Sequence, residues 1–304
     1  MRAKPEPSGL ALGAAAYVMW GAFPLYFPLL EPSGPVEILA HRVLWSGVTM
    51  GVLVVALRRT TALRAILADR RTTLLLVGAA VVISFNWGAY IYGVTTGRVV
   101  ETSLGYFINP LVTVLMGVLI LRERLRPAQW LALGVGFVAV VVLTVDYGRP
   151  PVIALVLAFS FGTYGLAKKS AGVGAIESLT FETAVLMPVA LGYLVWLGMA
   201  GEAQFAGHGP GHAALFLASG VVTAIPLLCF GAAATRVSMT TLGLLQYLAP
   251  ILQFGLGVTL LGEHMPPERW IGFGLVWAAL VVFTVDAMRA HRRELAAAAE
   301  ASAI

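Results

Sequence analysis

The sequence predicts an all-α polytopic membrane protein, with ten transmembrane helices in two inverted five-helix repeats around a central cavity. Three observations predict this fold class. Hydrophobic residues make up 59% of the 304-residue chain and charged residues only 12%, about half of the roughly 25% that is usual in soluble domains. Apolar stretches long enough to cross a bilayer recur along the whole chain. One stretch of 43 residues returns 140 positions later without a gap.

Ten segments have about the 20 mainly apolar residues that a helix needs to cross the hydrocarbon core. They are 9–30, 36–57, 73–94, 101–121, 128–146, 151–168, 176–199, 213–235, 240–261 and 269–288. The fourth and ninth segments contain proline and polar side chains, so they are predicted to be the least regular helices. The length of the first segment favours a membrane span over a cleaved signal peptide.

The positive charges predict the orientation of these spans. With the N-terminus inside, sixteen of the 20 Lys and Arg residues fall in cytoplasmic segments, and only Arg98, Arg149 and Arg269 fall outside. Cytoplasmic loops of membrane proteins carry this excess of positive charge, so both termini are expected in the cytoplasm. Because the charges lie in short loops between apolar runs, the net charge of +5 indicates a lipid bilayer and not nucleic acid as the partner.

The internal repeat aligns residues 104–146 with residues 244–286. Fifteen of the 43 positions are identical, and they include Pro110 with Pro250 and Asp146 with Asp286. Each repeat unit holds five spans, an odd number, so the two copies insert in opposite orientations. Inverted repeats of this kind are typical of secondary transporters. The predicted domains are 1–147 for the first five-helix repeat, 148–290 for the second, and 291–304 for a cytoplasmic tail.

Four prolines inside predicted spans indicate helix breaks, because each lacks the N–H that would bond the carbonyl four residues earlier. They are Pro24, Pro110, Pro226 and Pro250. Interrupted helices at equivalent places in two repeats point to a transport site, which favours the matched pair Pro110 and Pro250. The competing explanation is that proline is simply commoner in membrane helices than in soluble ones.

Polar and aromatic side chains share helix faces close to these prolines. Three pairs have helical spacing: Asn86 with Tyr90, Tyr106 with Asn109, and Gln246 with Gln253. Amides that face lipid are costly, so these faces are predicted to point inward. The candidate cavity residues are Trp20, Asn86, Tyr90, Tyr106, Asn109, Tyr164, Gln246 and Gln253. Hydrogen bonding between helices, without any substrate, would explain the same pattern.

Two ionisable residues stand side by side in "EILAHRVLWS", near the predicted outer end of the second span. Arg42 either anchors the structure, with Glu31 or Glu37 as its partner, or forms part of an outer gate that meets an anionic group. His41 is either a structural histidine or a group that titrates near neutral pH. The repeat aligns Arg42 with Glu182, but the inversion places Glu182 near the cytoplasmic side, so no pair between them is expected.

The sequence contains no phosphate-binding loop for ATP and no catalytic-triad signature. His208 and His212 lack a third ligand, so neither a metal nor another cofactor is expected. A proton is the candidate coupling ion. An alternative function is a membrane-embedded enzyme that acts on a lipid, for which Glu37, His41 and Arg42 are the candidates, although no nucleophile accompanies them.

Five segments resemble RarD-type transporters of the EamA family, in the drug/metabolite transporter superfamily. They are "EILAHRVLWS", "SLGYFINPLV", "AFSFGTYGLAKK", "AIPLLCFGAAATR" and "TLGLLQYLAP", and the likeness extends over nearly the whole chain. The resemblance implies a multi-pass, ten-helix transporter of the bacterial inner (plasma) membrane, with two inverted halves and a central cavity. The expected function is secondary transport, as an exporter or permease, of small amphipathic metabolites or drugs.

Overall fold

The computed structural model describes residues 7–122, 124–234, 236–237 and 239–301. These residues form a succession of helices joined by short loops. The helices are α1 (Pro7–Gly21), α2 (Phe23–Tyr26), the 3-10 helix η1 (Phe27–Leu30), α3 (Pro35–Ala56), α4 (Thr60–Ala68), α5 (Arg70–Thr95), α6 (Val99–Leu121), α7 (Pro127–Tyr147), α8 (Val152–Ala171), α9 (Ala175–Met199), α10 (Gly209–Ala234), α11 (Met239–Leu245), α12 (Leu248–Thr259) and α13 (Pro267–Ala301).

Within the described residues, eight helical segments are long and apolar enough to cross a membrane. They are α3, α5, α6, α7, α9, α10, the run Thr241–Thr259 and the first part of α13, Pro267–Ala290. A ninth span results if α1 and the segment Phe23–Leu30, which meet at a bend of 42°, count as one. The predicted sixth span corresponds to α8, whose apolar part, Val152–Lys168, is shorter. The protein is therefore an all-helical membrane protein with eight or nine candidate spans in the described chain.

Local sequence signals determine where several helices begin. Pro35 and Pro127 occupy the first turn of α3 and α7, where a missing N–H costs nothing. Asp69 caps α5, because its carboxylate accepts hydrogen bonds from the backbone N–H groups of Arg71 and Thr72, each at 3.2 Å. The hydroxyl of Thr72 donates to the same carboxylate, and together these bonds hold the pKa of Asp69 below its usual range.

The helices recur at the spacing of the sequence repeat. Three pairs of helices begin 140 residues apart: α3 and α9, α6 and α11, and α7 and α13. Their packing recurs as well, since α5 packs on α8 as α10 packs on α1, and α6 packs on α8 as α12 packs on α1. We call α1 to α7 the first copy and α8 to α13 the second copy. The copies meet along repeat-related pairs, α3 with α9, α6 with α12, and α7 with α13.

Two ion pairs indicate that the equivalent helices α7 and α13 run in opposite directions. Asp146, at the end of α7, accepts a hydrogen bond of 2.8 Å from Nε of Arg269, at the start of α13. Asp286, farther along α13, lies 2.7 Å from the guanidinium of Arg126, at the start of α7. Asp146 and Asp286 are equivalent in the repeat, so the same contact is made twice, once at each end of an antiparallel helix pair.

The four prolines differ in their effect on the helices. The chain bends beside Pro24, and a turn at residues 246–247 separates α11 from α12 just before Pro250. Pro110 and Pro226 instead lie inside the continuous helices α6 and α10. The prediction that the fourth and ninth spans are both broken is therefore wrong for the fourth span. Pro110 is buried in α6, which packs on α8 and α12, and the helix continues through it despite the lost hydrogen bond.

Candidate functional site

Arg42 is buried between the two copies. The residue is 5% exposed, and its guanidinium carbon lies 4.4 Å from the ring centroid of Trp87. The rings of Phe23 and Phe27 lie 5.5 and 5.7 Å from the same carbon. Nε donates a hydrogen bond of 3.2 Å to Oγ1 of Thr223, on α10 of the second copy. Aromatic faces from the first copy and a hydroxyl from the second therefore surround the charge, and we call these five residues the Arg42 cluster.

Glu31 and Glu37, the two carboxylates considered as partners of Arg42 from the sequence, do not contact its guanidinium. Oε1 of Glu37 accepts hydrogen bonds from the backbone N–H groups of Gln204 and Phe205, at 2.8 and 3.2 Å, and Glu31 is exposed. Among the described residues, no carboxylate oxygen lies within 4.0 Å of the Arg42 guanidinium. The expected pairing is therefore wrong, because Glu37 is occupied by the loop before α10. Cation–π contacts of about 0.5–2 kcal/mol compensate only part of the several kcal/mol that burying a charge costs.

Asn86, Tyr90 and Tyr106 meet between α5, α6 and α8. Asn86 is 1% exposed, and its Nδ2 donates to the hydroxyl of Ser160 at 2.9 Å. The hydroxyl of Tyr106 donates to Oδ1 of Asn86 at 3.4 Å, and the Tyr90 and Tyr106 ring centroids are 5.8 Å apart. The Tyr90 ring also lies 6.0 Å from that of Phe27. This polar group is therefore continuous with the Arg42 cluster.

Gln253 joins the second copy to the bend of the first. Its Nε2 donates a hydrogen bond of 3.2 Å to the carbonyl oxygen of Trp20, the carbonyl that Pro24 leaves without its helical donor. Gln246 lies in the turn between α11 and α12 and is partly exposed. Asn109 is on α6 and is partly buried. Of these three predicted cavity amides, Gln253 is the one with a side-chain hydrogen bond between the copies in the described structure.

Glu182 and Tyr164 form a second polar group, apart from Arg42. Glu182 is fully buried and accepts hydrogen bonds from the hydroxyl of Tyr164 at 3.0 Å and from Nζ of Lys168 at 3.2 Å. The hydroxyl of Ser178 donates to the same carboxylate. Arg42 is not among these partners, as expected from the inverted repeat. Glu182 is therefore a buried carboxylate with a complete set of donors.

The histidines lie against aromatic rings and one another. His41 stacks on Phe205 with ring centroids 4.6 Å apart and an interplanar angle of 21°. The rings of His208 and His212 are 5.2 Å apart, and a ring nitrogen of His212 lies 3.1 Å from the carbonyl oxygen of Leu30. In the part of the chain that the structure describes, no three His, Cys, Asp or Glu side chains group as metal ligands.

Several buried polar atoms in this region have no hydrogen-bond partner among the described residues. They include Trp45 Nε1, Ser46 Oγ, Tyr90 OH, Asn109 Oδ1 and Gln253 Oε1. Most buried polar groups in folded proteins are paired, so each unpaired one needs an explanation, and a functional role is one such explanation. Sequence patterns did not indicate Trp45, Ser46 or Thr223. The available signal was the four-residue spacing from Arg42 to Ser46, which places both on one face of α3.

The candidate site is distinct from the grooves on the surface. One groove of about 430 Å³ is lined by residues of α7 and α13, among them Trp130 and Gly134, and another lies beside Arg70 and Arg71. Neither contains a predicted cavity residue. The candidate site is instead a packed set of polar and aromatic groups between the two copies.

Comparison with known proteins places the chain in a family. The EamA-like transporter family matches residues 7–145 and again residues 150–285. The chain is 59% identical to Protein RarD of Streptomyces exfoliatus, over 97% of this chain and 94% of that protein. It is 40% identical to Protein RarD of Escherichia coli (strain K12), over 96% of this chain and 99% of that protein. A solved crystal structure that is 20% identical shares the fold, with a TM-score of 0.58, and the match covers 91% of this chain and 98% of that one.

The family's domain matches the chain twice, once in each copy, in agreement with the duplication seen in the helix packing. The family is one of transporters, which excludes the alternative of a lipid-modifying enzyme. The chain therefore belongs to the EamA-like transporter family and is a multi-pass helical membrane protein related to RarD.

Proposed function

We propose that this chain is a secondary transporter that moves small amphipathic metabolites or drugs across the bacterial inner membrane. In this proposal it has ten spans, with α1 to η1 as a bent first span and α8 as the sixth. Residues 1–147 and 148–290 are the inverted halves, residues 291–304 are a cytoplasmic tail, and a proton gradient supplies the driving force. Export is the proposed direction.

One observation carries the proposal: the buried, unpartnered polar atoms concentrate where the two copies meet. Gln253 and Trp20 join the copies, as do Arg42 and Thr223. Unpaired donors and acceptors between the two copies would only destabilise a protein in which this interface had a purely structural role. In a transporter, separation of the halves opens the seam, and a solute then meets these groups from either side of the membrane.

Glu182 is the proposed proton carrier, because it is a fully buried carboxylate that three side chains can reach. Ionisable groups inside membrane segments commonly mark ion or proton pathways. Glu182→Gln should therefore abolish the dependence of flux on a pH gradient while solute exchange without a gradient continues.

The location of the site can be tested by thiol labelling. With Cys229 replaced by serine, single cysteines are introduced in turn as Tyr106→Cys, Asn109→Cys, Gln246→Cys and Gln253→Cys. In membrane vesicles, a water-soluble thiol reagent should modify all four, because opening of the seam hydrates it. Val141→Cys and Val281→Cys are matched controls: they lie on α7 and α13 with 46% and 62% exposure, on surfaces that face lipid in this proposal, and should stay unmodified. Equal labelling of all six positions, or none of the first four, contradicts the assignment.

Transport itself is tested in proteoliposomes with labelled aromatic and aliphatic amphipathic solutes, with and without a pH gradient. Saturable movement of an unmodified solute, absent from protein-free liposomes, is the expected result. The absence of flux for every solute, in protein that labels as above, would contradict the transport proposal while leaving the location of the site intact.

A further inference from the structure

The Arg42 cluster holds a positive charge that no side chain neutralises within the described residues. The buried carboxylates Glu101, Glu177 and Glu182 each pair with a different cation, and Glu37 binds backbone N–H groups. A charge buried without a counter-ion is unfavourable. The protein nevertheless surrounds Arg42 with three aromatic rings. One negative charge, supplied by a ligand, would neutralise it.

The unused donors of Arg42 have the geometry that recognises a carboxylate. A guanidinium presents its N–H groups as a planar fork that matches two oxygens of one carboxylate. In the described structure Nε alone is engaged, with Thr223. The two terminal amino groups donate to no described residue, which leaves the outer edge of the fork available to a ligand.

Two hydroxyl groups that are unpaired in the described structure lie on α3 and α5, the helices that carry Arg42 and Trp87. Ser46 is fully buried, one helical turn along α3 from Arg42, and its hydroxyl has no partner among the described residues. The hydroxyl of Tyr90, which is 3% exposed, is also without a partner there. The Tyr90 ring adjoins Phe27, whose ring also faces the guanidinium. These unpaired donors on α3 and α5 suit an acceptor group held at Arg42.

The surroundings define the rest of the ligand. Phe23, Phe27, Trp87 and Tyr90 offer ring faces and edges, which pack against a flat apolar body. Among the described residues, no carboxylate oxygen lies within 4.0 Å of the Arg42 guanidinium, and the carboxylates of Glu37, Glu101, Glu177 and Glu182 already bind other groups, which disfavours a ligand that brings an ammonium group. The cluster supplies one cation, so it balances one negative charge.

We propose that the Arg42 cluster is the binding site for an aromatic monocarboxylate without an amino group, whose carboxylate pairs with Arg42 and whose ring lies among the aromatic side chains. This inference rests on the proposed function, since it names the class of solute that the transporter takes. Approach of the ligand requires α3 and α10 to part at the contact between Arg42 and Thr223.

The test is direct binding of indole-3-acetate to the purified full-length protein in detergent, measured by equilibrium dialysis with the labelled compound. Indole-3-acetamide is the neutral match, and tryptophan is the comparison that adds an ammonium group together with one carbon. Charge-assisted hydrogen bonds predict that the acid binds about 10- to 100-fold more tightly than the amide, and tryptophan should also bind less tightly than the acid. Equal binding of acid and amide, tighter binding of tryptophan, or no binding of the acid, overturns the proposal.

Variants locate the effect at Arg42. Arg42→Gln should remove the preference for the acid over the amide, Arg42→Lys should keep part of it, and Ser46→Ala should reduce acid binding a few-fold. Val281→Ala, far from the cluster, should bind like the parent. A preference that survives in Arg42→Gln places the carboxylate elsewhere and overturns the assignment. If Arg42→Gln does not fold, the graded losses in Arg42→Lys and Ser46→Ala decide the question.

Measuring flux as well as binding distinguishes a failure of the proposed binding site from a failure of the proposed transport function. Binding of the acid without its movement through proteoliposomes sustains the site and contradicts the transport function. Movement of neutral amphipathic solutes without preferential binding of the acid sustains transport and contradicts the site.

Discussion

At the scale of single residues, Gly220 is where the two copies come closest beside the Arg42 cluster. A methyl group at Gly220 of α10 would clash with the carbonyl oxygen of Trp45 and lie 2.5 Å from Oγ1 of Thr49, both on α3. Gly220→Ala must therefore push the helices apart, and we expect a loss of about 1–3 kcal/mol in the free energy of unfolding, the usual cost of overpacking. The readout is the thermal unfolding midpoint in detergent.

Gly231→Ala is the control for this change, since it lies on the same helix and its added methyl meets nothing within 4 Å. It should melt at or slightly above the temperature of the parent, because alanine is the better helix former. Equal midpoints for the two variants would show that α3 and α10 do not hold this close approach.

Glu263, in the loop after α12, predicts a pH dependence of stability. Burial raises the pKa of its carboxyl above the usual range, against the opposing effect of the Val99 and Val100 N–H groups that donate to it. A carboxyl whose pKa is higher in the folded than in the unfolded protein takes up its proton first in the folded state. Its contribution therefore becomes more favourable as the pH falls through the raised pKa toward the ordinary glutamate range.

The expected measurement is a difference between the parent and Glu263→Gln, which cannot titrate. The melting temperature of the parent minus that of the variant should rise as the pH is lowered from neutral to about 4.5. Other carboxyl groups affect both proteins alike and cancel. If the difference stays constant, or decreases as the pH is lowered, the backbone hydrogen bonds outweigh burial in their effect on this carboxyl.

At the scale of helices, we expect the bend beside Pro24 and the hydrogen bond from Gln253 to be energetically coupled. Pro24 cannot donate to the carbonyl of Trp20, and Gln253 supplies that donor from α12. Gln253→Ala should destabilise the protein by about 1 kcal/mol or more, because it leaves a buried carbonyl unpaired. In a Pro24→Ala background, the alanine N–H can take over the carbonyl, so the same substitution should cost less. A double-mutant cycle of melting temperatures in detergent measures this coupling, and additive effects would contradict it.

The prolines also show which features of the helices can be predicted from sequence and which cannot. The freed Trp20 carbonyl follows directly from the position of Pro24, since the rule concerns only a missing N–H. Whether a helix then breaks depends on its neighbours. The equivalent residues Pro110 and Pro250 are both buried, yet α6 continues through Pro110, whereas the second copy turns at residues 246–247. A pattern that is the same in two copies therefore does not predict the same local backbone.

At the scale of the whole molecule, the duplicated organisation was predictable and the burial of the Arg42 side chain was not. The repeat appears in the sequence because helix starts, prolines and terminal aspartates keep their spacing in both copies. Arg42 was placed near the outer end of its span by counting residues along one helix, which suggested that its side chain reaches the interface. The bent segment Phe23–Leu30 instead folds its rings over the guanidinium. Such burial depends on contacts between helices that are separate in the sequence, and these contacts cannot be predicted from the periodicity of one helix.

The orientation of the molecule is tested by fusions. Both termini are proposed to be cytoplasmic, because the excess of Lys and Arg lies on that side. Alkaline phosphatase joined after Arg293 should be inactive, and a fluorescent protein at the same place should be fluorescent. The control is a fusion after Gly148, in a loop proposed to be outside, where the two reporters should give the opposite result. An active phosphatase after Arg293 contradicts the ten-span arrangement.

The proposed inversion of the copies predicts that one glutamate, present at the same place in both, closes the two ends of the transporter. Glu37, at the start of α3, binds the backbone N–H groups of Gln204 and Phe205 in the second copy. Its repeat equivalent Glu177, at the start of α9, binds Arg59 of the first copy at 2.7 Å. Since the copies are proposed to be inverted, the first contact ties the outer end and the second ties the inner end. Opening toward either side must break the contact at that side.

Removal of each carboxylate should therefore shift the protein in opposite directions. In Gln253→Cys protein with Cys229 replaced by serine, Glu37→Ala should raise the rate of labelling by a membrane-impermeant thiol reagent added outside, by roughly tenfold if one charge-assisted contact is lost. Glu177→Ala should lower that rate and raise labelling from the cytoplasmic side in inverted vesicles. In an inverted repeat, weakening the contact at one end favours the state in which the other end is closed. A shift in the same direction for both variants would therefore mean that the two contacts do not close the two ends alternately.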